Sequence, residues 1–464
     1  MLRAREHETQ VWRILLFAHK GSELLLLRRP AGFRLPQLHI PRFERVAPNL
    51  NTEAKRLWKL DTIALYPMEL ADSSVVPPEC NFHVMELCQP EELAWVAPDV
   101  LMVSSLKEDL FADRQDYLAV RKGMGFDSTA ETEDSRGPFS AFGSFQQISA
   151  WVQSQLDPAG LRWNGSFRQL QASPSFALIR FELDHGAVWF KAVGEPNTRE
   201  FHITKELTER FPAFMPESLG VSAEWNAWLT REAEGQDLFT CTEVNGWQQT
   251  AEALAELQIA SIPHTTQVLA AGSRDARPRH LIAIANSFFA VVERLMEQQT
   301  KSAPRPLRSD EIDALKEDVL SHLRQMELIG FPDTLNHLDL NPGNVIVSRD
   351  KCTFLDWAEA AVGNPFLSLE YLRQHFRRTF PGREDAEARL CDSYLRCWKS
   401  VLPADAVKQV LPLVPLTALF AYAASCLPWN DPSLKNNLQL NAFLRSLARR
   451  MHRESEQLTD SEVV

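Results

Sequence analysis

Apolar positions change their spacing along the chain, and the changes mark out its parts. Val11–Ala18 and Leu24–Arg28 are apolar runs of strand character on either side of a His-Lys-Gly-Ser turn at Gly21, which is a hairpin signal. A loop follows, then one short helix around Thr52–Leu60 and further strand-like segments, Phe82–Leu87 among them. Together they predict a small α+β sandwich of about 120 residues, an ordinary size for a small domain. The segment Phe126–Phe139 (FDSTAETEDSRGPF) is polar, acidic and without aliphatic periodicity, so it reads as an exposed connector between folded regions.

Beyond the connector, Phe145–Leu156 carries apolar residues at helical spacing. Phe176–Leu183, a turn at Asp184-His185-Gly186 and Ala187–Val193 form a second hairpin, with Lys191 on its return strand. Asn197 to Phe211 is helical and is closed by Pro212 and Pro216, and Trp225–Thr230 is one more strand. After about Gln248 the pattern is helical except in one segment. A strand-rich lobe followed by a larger helical lobe is predicted. The most apolar stretch, Val410–Trp429, is nearly long enough to cross a bilayer. Pro412, Pro415 and Pro428 shorten its uninterrupted helix to about three turns, which makes it a buried helix of the second lobe and not a membrane span.

Composition narrows the function classes. At about 150 residues per domain, 464 residues suggest roughly three globular units. A formal charge of -12 argues against nucleic acid or an anionic membrane as partner and leaves a cationic small substrate open. The seven cysteines are odd in number, scattered and never spaced Cys-x-x-Cys, so neither a disulfide framework nor a zinc site is indicated, and a reducing cytoplasm is the natural location. The first residues, MLRAREHETQVWRILLF, carry charges where a signal peptide has its apolar core, so export is not expected.

The chemistry concentrates in Asn336–Pro365 (NHLDLNPGNVIVSRDKCTFLDWAEAAVGNP). His337-x-Asp339 is followed by Asn344, then by strand-like Val345–Val347, a polar turn Ser348–Lys351 and a strand-like Thr353–Leu355 that ends in Asp356. Strand, turn and strand bring Asn344 and Asp356 to one end of a small ribbon. Phosphoryl transfer needs an acceptor relieved of its proton, which suits a carboxylate such as Asp339. It also needs magnesium on the triphosphate, and magnesium takes hard oxygen ligands such as Asn344 and Asp356 provide. His337 is expected to hold the loop through hydrogen bonds.

This segment resembles the aminoglycoside phosphotransferase superfamily, whose loop commonly reads His-Gly-Asp-x-x-Pro-Gly-Asn and is followed by an Asp-Trp pair. Here His337, Asp339, Pro342, Gly343, Asn344 and Asp356-Trp357 carry the likeness, and it covers about Phe145 to Leu447. The resemblance implies an α+β, bilobal protein-kinase-like fold with a strand-rich N-lobe and a helical C-lobe. It implies Asp339 as catalytic base, Asn344 and Asp356 as ligands of Mg2+, ATP or GTP as donor, and a small-molecule hydroxyl as acceptor. Protein kinases usually carry Lys two positions after the catalytic Asp, where this chain has Asn341, so a small-molecule kinase is favoured over a protein kinase. In the family a lysine on the second strand of the hairpin contacts the nucleotide's phosphates; here that is Lys191. Its partner is Glu200, with Glu206 as competitor, and Asn197-x-x-Glu200 also reads as a capping box.

Two departures bear on activity. Between Gln169 and Phe176 there is no glycine, although glycine lets backbone amides approach phosphate; Ser173 and Ser175 offer hydroxyl donors in its place. A kinase-like nucleotide or ligand sensor without catalysis is therefore the alternative function. Many family members also place a structural aspartate after the Gly-x-Pro turn, where this chain reads Phe366-Leu367-Ser368, with Glu370 nearby. At the other end of the chain, a strand ending LLLLRR, the Leu35-Pro36 pair, a loop and a short helix resemble the Nudix fold. The helix offers only Glu53 where a Nudix hydrolase clusters glutamates for magnesium, which implies a non-hydrolytic binding or interface module. The resulting plan is a Nudix-like domain over 1–125, a linker over 126–140, an N-lobe over 141–235 and a C-lobe over 236–455.

Overall fold

In Phe176–Leu183 every second side chain is buried, so the strand presents one apolar face, as its alternation requires. The same logic builds the rest of the protein, whose computed structural model describes residues 8–68, 70, 80–89, 100–124 and 137–462. The chain divides into two units: residues 1–201 with 217–232, and residues 202–216 with 233–464.

In the first unit, β1 (Thr9–Ala18), β2 (Glu23–Leu25), β3 (Leu27–Arg29), β4 (Gly32–Arg34) and β5 (Gln37–Pro41) precede α1 (Val46–Trp58). Then come β6 (Thr62–Met68), β7 (Cys80–Leu87), β8 (Val100–Met102) and α2 (Arg114–Gly123). The first sheet runs β6-β7-β1-β2-β8 with β5 on β1; β1 is antiparallel to β2 and β5 and parallel to β7. The predicted hairpin forms, with Lys20 (φ 57°) and Gly21 (φ 86°) turning the chain. The helix begins at Val46 and not at Thr52. Pro48 stands in its first turn, where no amide donor is needed, so it does not delay the start. The connector expected over 126–139 lies mostly outside the described residues, and Pro138–Ser140 is a turn of 3-10 helix.

The second sheet follows α3 (Ser144–Leu156): β9 (Trp163–Ser173), β10 (Phe176–Leu183), β11 (Ala187–Val193), then α4 (Arg199–Arg210), β12 (Ser218–Ser222) and β13 (Ala227–Arg231). Its order is β12-β13-β11-β10-β9, antiparallel throughout. One core joins both sheets, with Leu15, Phe17 and Val84 packed in the same cluster as Phe145, Phe181 and Phe190. Buried Gln169 stitches the two: its Nε2 donates to Ala64 O at 2.7 Å, and its Oε1 accepts from Ala64 N at 2.9 Å and Asn51 Nδ2 at 3.0 Å. Gly143 N donates to the buried Glu86 carboxylate at 2.7 Å.

The second unit is mainly helical. It contains β14 (Gln236–Asp237), α5 (Val244–Ser261), α6 (Thr265–Ala270), β15 (Arg274–Ala276), α7 (Pro278–Glu297) and α8 (Ser309–Ile329). After these come β16 (Thr334–His337), β17 (Val345–Val347), β18 (Cys352–Phe354) and β19 (Ala360–Gly363). Five helices close it: α9 (Phe366–Thr379), α10 (Glu384–Trp398), α11 (Ala404–Val410), α12 (Val414–Cys426) and α13 (Leu438–Glu462). Two small sheets, β14-β17-β18 and β15-β19-β16, sit among them. β15 is a strand that the periodicity did not announce, because three residues are too few to establish a period. Among the described residues one stretch, Ala404–Cys426, is long and apolar enough to cross a membrane. It is broken by a 3-10 turn at Leu411–Leu413, and Leu416, Phe420 and Ala421 of α12 are fully buried in the core.

Candidate active site

The loop after β16 is held from both sides by its own polar groups. Asn341 Oδ1 accepts from Gly343 N at 3.0 Å and so caps the short Pro342–Asn344 turn, where Pro342 loses no needed donor. Asn344 Nδ2 donates to Asp339 O at 3.0 Å, and Asn344 O accepts from Leu355 N at 2.8 Å. The first bond fixes the amide plane of Asn344 and leaves its oxygen for another partner. His337 is fully buried; Asp339 N donates to its Nδ1 at 3.3 Å and its Nε2 donates to Leu355 O at 2.9 Å. Those two bonds specify the neutral Nε2-protonated ring, and burial holds its pKa below the usual histidine range. His337 therefore ties the loop to the residue before Asp356.

Asp356 itself is exposed and adopts φ 60°, ψ 68°. A non-glycine residue in the left-handed region costs of order 1 kcal/mol or more and persists where its neighbours dictate it. Here Leu355 is pinned through both its N and its O, and Trp357 packs on His337 with ring centroids 4.6 Å apart. Burial pushes the Asp339 carboxyl up, the Asn341 side chain pulls the other way, and the charge of Asp356 adds to the rise. Asn341 Nδ2 lies 3.4 Å from Asp339 Oδ2.

Below the loop lies a buried polar chain that sequence reasoning did not single out. Ser368 Oγ accepts from His337 N at 2.8 Å and donates to Asn336 Oδ1 at 2.8 Å. Gln258 Nε2 donates to Asn336 Oδ1 at 3.3 Å and to Pro365 O at 2.8 Å, and Tyr394 Oη donates to Gln258 Oε1 at 2.5 Å. Ser368 thus supplies the loop with an acceptor from the start of α9. Polar residues at otherwise apolar helix positions, Gln258 in α5 and Ser368 in α9, were the available signal.

In the first unit Lys191 Nζ meets Glu200 Oε1 at 2.5 Å, with Glu200 buried and Lys191 half-buried. Glu206 pairs with Arg210 instead. Asn197 N donates to Gly194 O, and Glu200 is buried against Lys191. Phe190, next to Lys191 in the strand, points to the opposite face, into the core shared by the two sheets. The rings around Nζ are Phe176, at 5.0 Å, and Trp228, at 5.6 Å. Register explains this, since Trp228 is the cross-strand partner of Lys191.

The β9–β10 turn has only Pro174 and Ser175 at its tip, and their carbonyls accept from Gly137 N at 2.8 Å and Gly194 N at 2.9 Å. Ser173 Oγ donates to Phe176 O at 3.3 Å, so its proton is used inside the turn. Ser175 is half-buried at the tip. In the N-terminal region Arg56 engages Glu53 at 2.8 Å.

With this geometry in place, comparison with known proteins is informative over one segment. The model of the family "Phosphotransferase enzyme family" matches residues 198–401. No curated protein sequence matches the chain. Among solved structures, a choline kinase from Cryptosporidium parvum Iowa II is 12% identical with a TM-score of 0.48, covering 69% of this chain and 98% of that one. A macrolide 2'-phosphotransferase from Brachybacterium faecium is 14% identical with a TM-score of 0.42, covering 63% and 96%. A choline kinase from Streptococcus pneumoniae is 13% identical with a TM-score of 0.42, covering 66% and 99%. What the chain carries over residues 198–401 is the pattern of the phosphotransferase enzyme family, and Glu200, His337, Asp339, Asn344 and Asp356 all lie within it.

Proposed function

We propose that this protein transfers the terminal phosphate of ATP, or of GTP, to a hydroxyl of a small molecule in the presence of magnesium, in the cytoplasm. The observation that carries the reading is the pinning of Asp339, Asn344 and Asp356 into one arrangement through His337 and Leu355. Asp339 is assigned the acceptor's proton, because a carboxyl raised by burial is a stronger base than an exposed one. Asn344 Oδ1 and the Asp356 carboxylate would hold magnesium, which commonly takes one or two protein oxygens and completes its shell with phosphate and water. When bound, the ion would neutralise charge on the phosphates. Lys191, oriented by Glu200, is assigned the α and β phosphates, with Ser175 and Ser173 beside them at the turn. His337 is a positioning residue.

The domain plan goes with this reading: a Nudix-like module without hydrolysis over 1–125, a linker over 126–140, an N-lobe over 141–235 and a helical C-lobe over 236–455. One observation favours a second reading, a nucleotide sensor without turnover. The turn between β9 and β10 has no glycine, and its carbonyls and the Ser173 hydroxyl are already engaged. Thermal shift separates the readings. A catalyst predicts stabilisation by ATP that requires magnesium and is lost in Asn344→Ala and Asp356→Ala, together with acceptor-dependent ADP release. Stabilisation without any ADP release from a broad metabolite pool supports the sensor, and no stabilisation at all rejects both.

A further inference from the structure

At one end of the β15-β19-β16 sheet three segments converge. β16 leaves the sheet towards Asp339, β19 enters it from Glu359, and β15, parallel to β19, begins there with Arg274. Leu338 N donates to Glu359 O at 3.1 Å, which sets Glu359 across the ladder from the residue before Asp339. Arg274 Nη2 lies 2.5 Å from Glu359 Oε2, and its Nη1 donates to Ser425 O on α12 at 2.6 Å. The remaining donors at this spot are unspent: Arg274 Nε and Ser425 Oγ are buried and have no hydrogen-bond partner among the described residues. Leaving such groups unpaired is costly, and native structures retain few of them without a reason.

One helical turn before Ser425, and so on the same face of α12, stands half-buried Tyr422. Its ring lies 6.0 Å from that of Tyr371 and 6.4 Å from that of Phe443. Burial pushes the Tyr422 hydroxyl up to about 12, and the charges of Glu359 and Asp339 contribute to the rise, in keeping with its place on their side of the sheet.

We infer that Arg274, Glu359, Ser425 and Tyr422 form the wall on which the phosphate acceptor lies, and that the acceptor is a neutral polyhydroxylated compound such as a sugar or polyol, not a cation. This rests on the phosphotransferase reading above. Glu359 is already balanced by Arg274, so an incoming ammonium would meet a guanidinium beside the Asp339 carboxylate. The unspent donors call for oxygen acceptors, and a hydroxyl serves both as their acceptor and as a donor to Glu359. The tyrosine ring offers the flat apolar surface that the C–H face of a sugar ring covers. The chain's overall charge of -12, which leaves a cationic substrate open, does not describe this neutral wall.

The test uses the full-length protein. D-glucose, myo-inositol and ribitol are compared with choline and ethanolamine, by calorimetric binding and by ADP release with Mg-ATP. A neutral member should bind and turn over with kcat/KM about tenfold or more above either cation. Arg274→Met, which frees the charge of Glu359, should shift that ratio towards the cations by about tenfold or more, and Glu359→Gln should keep the neutral preference. Preference for a cation in the wild type, no binding of any neutral member, or an unmoved ratio in a folded Arg274→Met overturns the inference. Failure to bind Mg-ATP sinks the phosphotransferase reading instead, and calorimetry without nucleotide then still decides whether the wall takes polyols.

Discussion

Removing one hydroxyl beneath the catalytic loop should loosen it by a calculable amount. Ser368 is fully buried, and its Oγ both accepts from His337 N and donates to Asn336 Oδ1, each at 2.8 Å. In Ser368→Ala the His337 amide is buried without an acceptor, at a cost of about 1–3 kcal/mol. Asn336 Oδ1 keeps Ser368 N at 3.2 Å and Gln258 Nε2 at 3.3 Å, so its loss is smaller, below about 1 kcal/mol. Local stability of the loop should fall by about 1–4 kcal/mol, read as about 5- to 800-fold faster native-state hydrogen exchange at His337. Because Asp339 N is held by the ring of His337, turnover should fall about tenfold or more. Ser368→Asp supplies an acceptor for His337 N but sets a second acceptor against Asn336 Oδ1 and buries a charge, so it should be at least as harmful. Exchange at His337 in Ser368→Ala within about twofold of wild type, with full turnover, would refute the reasoning.

Other consequences can be checked in the same way. Asp339→Asn should abolish transfer without destabilising the protein. The folded pKa of Asp339 is raised, so its contribution favours the fold below the ordinary carboxylate pKa and is lost as pH rises through the raised value; urea unfolding at neutral pH should find the variant at least as stable as wild type, with the difference shrinking at low pH. His83 is the opposite case. Burial holds it down to about 4, so the stability it confers is complete above its ordinary 6.5 and is lost as pH falls towards 4, about 3 kcal/mol in all at 1.4 kcal/mol per pH unit; acid titration of a His83→Gln variant should show a flatter loss. Lys191→Met removes the ammonium that meets buried Glu200 and should cost about 3–5 kcal/mol in urea unfolding. The double variant with Glu200→Leu should recover most of that stability while nucleotide binding stays lost.

Much of this was readable from residue order, and the reasons are local. The β10–β11 hairpin and the β17–β18 ribbon appear at their expected places because alternation and a polar turn specify them within a few residues. Lys191 and Glu200 could be paired in advance because the family resemblance implies a lysine on that strand and a glutamate on the helix that follows, with Glu206 as the competitor. What was not readable depends on contacts between distant segments. That Phe190 turns away from Lys191 while Trp228 lies against it follows from tertiary packing, which sets the face of a strand. The polar chain from Tyr394 through Gln258 and Asn336 to Ser368 joins four segments, and a serine among leucines does not reveal its partner. The stitching of Ala64 by Gln169 has the same character, 105 residues apart in sequence.

The central claim is that the arrangement around Asp339 performs phosphoryl transfer. Its most direct test is ADP release from Mg-ATP in the presence of a broad metabolite pool, run on wild type and Asp339→Asn side by side. The account predicts metabolite-dependent release by the wild type that disappears in the variant, while both proteins are stabilised by Mg-ATP. Equal release by the two proteins, or none from either despite that stabilisation, would contradict it.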